Sequence, residues 1–130
     1  MIISVTGAGG HIGGNLVRAL LDDNRPDVRV RALIHENDRA LAGIPRDRLE
    51  IARADLLDPA SLRRAFEGSE VVYHLAARIS LVASDAPIME RINVEGTKAV
   101  LGACRDTKVR RLVYFSSVHA FSTHGGDRPL

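Results

Sequence analysis

Five short apolar runs punctuate the chain, at residues 2–6, 28–34, 49–53, 70–76 and 111–117. Each has about strand length and is rich in Val, Ile, Leu or Tyr, so each predicts a β-strand. Between the first two, Ile12, Leu16, Ala19 and Leu20 recur at i, i+4, i+7 and i+8. That spacing predicts an amphipathic helix over 11–23, ended by the Asp-Asp-Asn-Arg-Pro stretch at 22–26. Asp58-Pro59 reads as an N-cap followed by proline in the first turn, with Leu62, Ala65 and Phe66 as the apolar stripe up to Gly68. A longer helix is expected over about 86–107, capped by Asp85, with Ile88, Ile92, Ala99, Val100 and Ala103 on its buried side. Gly96 inside it costs about 1 kcal/mol relative to Ala, so a packing reason is expected there. The polar stretch after residue 35 predicts one helical turn at 39–42, and from Thr123 onward the pattern reads as loop. Strands alternating with helices imply an α/β protein, with a doubly wound parallel sheet covered on both faces.

Composition narrows the function classes. The 130 residues make one domain's length, and 45% hydrophobic with 26% charged residues excludes a disordered or low-complexity chain. A net charge of +2 is too balanced to argue for nucleic acid or a membrane surface, despite a pI near 9.1. Arginine outnumbers lysine 16 to 2, a bias that suggests no function by itself. The lone Cys104, among Val100, Leu101 and Ala103, reads as a core thiol in a reducing compartment. The chain opens without a basic leader, as a genuine amino terminus would, and no apolar run approaches the ~18 residues of a membrane span, so a cytoplasmic protein is expected. His119 and His124 have no third ligand at metal spacing, so no metal site is expected.

The most informative segment is Thr6-Gly7-Ala8-Gly9-Gly10-His11-Ile12-Gly13-Gly14-Asn15, between the first strand and the first helix. Gly9 and Gly14 have the spacing of a Walker loop, but Asn15 stands where its lysine belongs. A Gly-x-Gly-x-x-Gly register through Gly7 and Gly9 fails at Ile12. Gly7-x-x-Gly10-x-x-Gly13 is complete: Gly7 for the tight turn, Gly10 for backbone approach to a pyrophosphate, Gly13 for close helix packing. A Rossmann-type sheet of about five strands, in the order 3-2-1-4-5 and short of the full six, follows.

Five segments in order carry a family resemblance: Thr-Gly-Ala-Gly-Gly-His-Ile-Gly at 6–13, Ala-Asp-Leu-Leu-Asp at 54–58, His-Leu-Ala-Ala at 74–77, Asn-Val-Glu-Gly-Thr at 93–97 and Tyr-Phe-Ser-Ser at 114–117. The chain resembles the extended short-chain dehydrogenase/reductase family (NAD-dependent epimerase/dehydratase family), nearest its dihydroflavonol-reductase-like and sugar-epimerase-like branch. The resemblance implies cofactor contacts from Thr6, Gly7, Gly9, Gly10, His11, Ile12 and Gly13, and adenine contacts from Asp55 and Leu56. Leu75, Ala76 and Ala77 would lie along the ribose and nicotinamide, with Ser116 nearby. It also implies that Ser117 is the catalytic serine and that Asn93 positions the active site. Read without the family, Asp55 is a cap or turn residue after the third strand, Asn93 a solvated side chain and the serine pair turn chemistry.

The expected cofactor is NADP or NAD. The register puts Ile34 where an acidic residue would select NAD, and His35, with Arg39 near, leans the choice to NADP, while Glu36 and Asp38 argue the other way. The resemblance also requires a tyrosine with a lysine four residues on, since a phenol near pKa 10 needs a neighbouring cation to act as a base at neutral pH. Tyr73 is followed at that distance by Ala77 and Tyr114 by Val118. The expectation is therefore an incomplete nucleotide-binding domain, an amino-terminal fragment lacking its substrate-binding region, inactive alone. Its parent would act on a sugar nucleotide or a small hydroxyl or ketone substrate, with a regulatory NAD(P)-binding module as the alternative. A homo-oligomer is possible through the open edge of the fifth strand.

Overall fold

The computed structural model describes residues 1–23 and 25–117. Five parallel strands, β1 (Ile2–Thr6), β2 (Arg29–Ile34), β3 (Leu49–Arg53), β4 (Ser69–His74) and β5 (Arg111–Tyr114), form one sheet in the order β3-β2-β1-β4-β5. This is the expected α/β Rossmann-type order. The register sets Thr6 beside Leu33 and His74, and His74 beside Tyr114. The carboxyl ends of the strands therefore line one edge, where ligands of open α/β sheets bind.

Both sheet faces are buried. Ile3, Val5, Val30, Ala32, Ile34 and Val71 pack against Val17 and Leu20 of α1 (His11–Asp22) and against Leu41 of the Arg39–Leu41 turn. On the other face Leu33 and Val72 meet Leu62, Ala65 and Phe66 of α2 (Pro59–Phe66), and Val100, Ala103 and Cys104 of α4 (Gly96–Asp106). Full burial of side chains such as Phe66 and Leu62 stabilises by roughly 1.5–3 kcal/mol each. Strand alternation also carries Ser4 and Thr6 inward, and each is satisfied: the Ser4 hydroxyl lies 2.7 Å from that of Ser69.

The helix signals hold with corrections. Asp58 caps α2, its Oδ1 accepting from the Ala60 amide at 2.9 Å, and Gly68 takes the positive φ that follows the helix. The stripe predicted for α1 is rotated: Ile12 and Ala19 are exposed, and Gly13, Gly14, Val17 and Leu20 face the sheet. Gly13 and Gly14 bury no apolar side chain, so the apolar period of the sequence points one position away from the buried face. Asp85 does not cap the long helix through its side chain; the carboxylate lies 3.6 Å from Arg78 instead. The helix expected over 86–107 runs as α3 (Ala86–Glu90), a wide π-turn at Arg91–Glu95, and α4. Ile88, Ile92 and Ala99 are only half-buried. Strand β4 starts at Ser69 and ends at His74, so Leu75 and Ala76 lie beyond it, and β5 ends at Tyr114, ahead of residues 115–117. His119, His124 and the predicted terminal loop lie outside the described residues.

The arginine bias acquires a structural use. Arg31 donates to the carbonyls of Ala65 and Glu67 at the end of α2, at 2.9 and 2.8 Å. Arg48 bridges the carbonyl of Leu21 in the last turn of α1 and that of Arg25 beyond it, and Arg53 those of His35 and Glu36. A guanidinium offers five donors in a fixed fork and spans two carbonyls at helix ends and turns, which a lysine ammonium does less well.

Candidate functional site

The glycine turn is shaped by backbone approaches that exclude side chains. Gly7 adopts φ +70°, and a Cβ there would lie 2.8 Å from the Ala76 nitrogen. A Cβ on Gly13 would meet the Gly7 carbonyl oxygen at 2.1 Å, so helix and turn touch backbone to backbone. Gly9 presses on the Asn37 carbonyl and Gly14 on Ala40, two close approaches that no spacing in the glycine run signals. Gly10 differs: its Cβ would meet only the Gly7 oxygen, at 3.2 Å. Gly10 is also the N-cap of α1 and supplies no side-chain acceptor, and the first turn holds no acidic residue. The leading amides of a helix have no acceptor within it, so this end presents N–H groups and positive potential to an anion. His11 and Ile12 flank it, both exposed.

Asp55 and Leu56 follow β3. Asp55 Oδ1 accepts from the Leu57 amide at 2.8 Å, which is the turn role, and Oδ2 lies 3.9 Å from His35 Nε2. Leu56 rests against Gly96, where a Cβ would fall 2.9 Å from the Leu56 Cβ. That contact is the packing reason expected for a glycine inside the long helix. At the end of β2, His35 is flanked by Asp55 and by Glu36, whose carboxylate is 3.8 Å away.

Between these lies a buried polar core. Thr6 and His74 are 2% and 1% exposed, with Thr6 Oγ1 2.7 Å from His74 Nδ1. Thr6 Oγ1 also accepts the amides of Leu75 and Ala76, both at 3.2 Å. His74 Nε2 is 3.1 Å from the hydroxyl of Thr97. Burial lowers the His74 pKa from 6.5 to about 4, so the imidazole is neutral at physiological pH. Asn93, in the π-turn, pairs through both side-chain atoms with the backbone of Arg78: the Arg78 amide donates to Oδ1 at 2.8 Å, and Nδ2 donates to the Arg78 oxygen at 2.9 Å. It is a clamp on the 78 loop rather than a solvated side chain.

The sheet edge thus gathers Thr6, Gly7, Gly9, Gly10, Gly13, Leu75, Ala76 and Ala77, with Asp55 and His35 at the ends of β3 and β2. Ser116 and Ser117 lie exposed just past β5, which stays tied to β4 through the Phe115 amide and the His74 oxygen at 3.1 Å. Thr97 and the Arg78 backbone were missed, because neither a lone threonine in a helix nor a main-chain group leaves a pattern in sequence. A depression of about 360 Å³ opens elsewhere, lined by Arg31, Glu50, Arg53, Ser61 and Arg64 among others, and no glycine-turn residue borders it. Its rim guanidiniums of Arg31 and Arg53 are already occupied with carbonyls. Among the described residues, no cluster of three metal-ligating side chains exists, and no helix is long and apolar enough to cross a membrane.

The model of the 3-beta hydroxysteroid dehydrogenase/isomerase family matches residues 4–128. The chain belongs to that family. It is thereby an extended short-chain dehydrogenase/reductase, a family whose members include reductases, epimerases and dehydratases. Over 122 residues it is 42% identical to sterol demethylase protein B of Methylococcus capsulatus, covering 92% of this chain and 35% of that protein. Over 133 residues it is 38% identical to cinnamoyl-CoA reductase 1 of Oryza sativa subsp. japonica, covering 98% of this chain and 38% of the relative. The crystal structure of a UDP-glucuronic acid 4-epimerase variant from Bacillus cereus, in complex with a fluorinated UDP-sugar and NAD, superposes with a TM-score of 0.83. It is 26% identical, covering 99% of this chain and 44% of that one. The chain spans little more than a third of the length of these two curated relatives.

Proposed function

We propose that this chain is the NAD(P)-binding part of an oxidoreductase, epimerase or dehydratase that acts by hydride transfer on a sugar nucleotide or a small hydroxyl or ketone substrate. The observation that carries this is the Gly7–Gly13 turn, whose least crowded glycine, Gly10, sits at an uncapped helix start on the carboxyl edge of a parallel sheet. The α1 amides would hold the pyrophosphate, with Thr6, Gly7, Gly9, His11, Ile12 and Gly13 shaping the turn around it. Asp55 Oδ2 and Leu56 would receive the adenine, and Leu75, Ala76, Ala77 and Ser116 would border the ribose and nicotinamide. The nicotinamide supplies the hydride chemistry when bound. Ser117 would orient the reacting oxygen, and Asn93 would hold the loop beside it. Ile79 and Leu81, almost fully exposed on that loop, favour a substrate with an apolar portion over a sugar nucleotide.

His35 and Arg39 support NADP, and Glu36 beside His35 opposes it, so the proposed preference for NADPH over NADH is modest. The 130 residues contain no tyrosine with a lysine four positions on, and the proposal is that they turn over no substrate alone. The same observation supports a second reading, a regulatory module that binds NAD(P) without catalysis. A cytoplasmic location, a small-molecule partner rather than nucleic acid or membrane, and self-association through the outer edge of β5 complete the proposal. Fluorescence titration with NADH and NADPH tests it: saturable binding without turnover supports it, and measurable NAD(P)H oxidation by the purified chain refutes the claim of inactivity.

A further inference from the structure

The hydrogen bonds around His74 admit one direction only. Thr6 Oγ1 accepts the amides of Leu75 and Ala76, which uses both of its lone pairs, so its own proton must point at His74 Nδ1. A neutral imidazole that accepts at Nδ1 carries its proton on Nε2, and that proton points at the Thr97 hydroxyl. Thr97 in turn donates to the Asn93 carbonyl, four residues back, at 2.6 Å. The reverse order would require Thr6 to accept three protons. The same chain frames one segment from both ends: Thr6 holds residues 75 and 76, and Asn93, through its side chain, holds residue 78.

We propose that Thr97 and His74 are positioning residues: the ordered chain Thr6–His74–Thr97–Asn93 couples the glycine turn to the π-turn and so fixes residues 75–78 beside the cofactor. The functional half of this rests on the reading of the glycine turn as a cofactor site; the coupling itself does not. The π-turn fits the scheme, since π-bulges concentrate at functional sites and here the Asn93 carbonyl is bonded by a side-chain hydroxyl. Burial of the relay raises its stakes, because a buried donor left without its acceptor is costly.

The test uses the purified chain, its Thr97→Val variant, which removes the hydroxyl at nearly constant shape, and Thr97→Ser, which keeps it. Nitrogen-15 NMR of the unmodified protein reads the His74 tautomer directly: a proton on Nε2 is expected, and a proton on Nδ1 overturns the relay whether or not any variant folds. In Thr97→Val the Arg78 amide should exchange with solvent on the order of tenfold faster, with Val30 in the sheet unchanged. NADH affinity should fall several-fold, and Thr97→Ser should restore both. Equal acceleration at Arg78 and Val30, or no change at either, overturns the coupling. If the unmodified chain fails to bind NADH, the cofactor reading falls, and the tautomer and exchange results still decide the relay.

Discussion

Substituting two glycines of one turn separates the fold's requirement from the ligand's. In Gly13→Ala the new methyl would stand 2.1 Å from the Gly7 carbonyl oxygen, 2.7 Å from its carbon and 2.9 Å from the Ala8 Cα. All three are backbone atoms of a turn already pinned by the Gly10 amide to the Gly7 oxygen at 2.9 Å, so no side chain can swing away. Overpacking costs roughly 1–3 kcal/mol and more where backbone must move, while replacing glycine inside a helix returns about 1 kcal/mol at most. A net loss of about 2 kcal/mol would lower the melting temperature by roughly 5–10 °C in a domain of this size. Gly10→Ala is different. Its backbone, at φ −87° and ψ 171°, suits any residue, and its methyl would meet one atom at 3.2 Å. Alanine is a poorer N-cap than glycine by under about 1 kcal/mol, so the melting temperature should fall by no more than about 5 °C, less than in Gly13→Ala. The methyl would nonetheless occupy the approach proposed for the pyrophosphate, and NADH affinity should fall at least about tenfold, a loss of 1.4 kcal/mol or more. Thermal unfolding by circular dichroism and NADH fluorescence titration read the two effects. A Gly13→Ala protein that melts like the parent refutes the steric argument, and a Gly10→Ala protein that binds NADH like the parent refutes the phosphate placement.

Three further outcomes are expected. Because the folded His74 pKa, about 4, lies below the unfolded value of 6.5, the unfolded chain takes the proton first. The stability that His74 contributes is complete above pH 6.5 and is lost as pH falls from there to about 4, a change on the order of 3 kcal/mol. Urea midpoints at pH 7 and 4.5 should therefore differ more in the parent than in His74→Asn, and equal differences would count against the account. Cys104 is buried, and burial pushes its thiol up to about 11, so a disulfide reagent at pH 8 should label it only on unfolding; rapid labelling of the native chain would contradict the packing. Glu36→Gln removes a carboxylate 3.8 Å from His35 and should strengthen NADPH binding several-fold with little effect on NADH, whereas equal changes for both would remove these residues from cofactor choice.

Strand order and the covering of both sheet faces were legible because parallel strands buried on both sides are nearly continuous apolar runs, and of the glycine register Gly7 takes the turn and Gly13 the close packing. Gly96 was legible as an anomaly, and its partner Leu56 emerged only from the packing. What escaped was of two kinds. The α1 face was misjudged because Gly13 and Gly14 bury backbone without adding hydrophobicity, and the π-turn leaves no trace in a 3.6-residue period. The relay escaped because it joins Thr6, His74 and Thr97 across up to 91 positions, through bonds that depend on which proton each oxygen has left to give. Asp55 takes the turn part through Oδ1, its Oδ2 lies 3.9 Å from His35 Nε2, and the adenine part stays with the proposal.

The central claim is that the glycine turn and the sheet edge beside it hold a nicotinamide dinucleotide. Titrating NADH into nitrogen-15-labelled chain and following the amide resonances tests it most directly. The account expects saturable shifts confined to Thr6–Gly13, His35, Asp55–Leu56, Leu75–Ala77 and Ser116. No shifts, or shifts centred instead on the depression lined by Arg31 and Arg64, would contradict it.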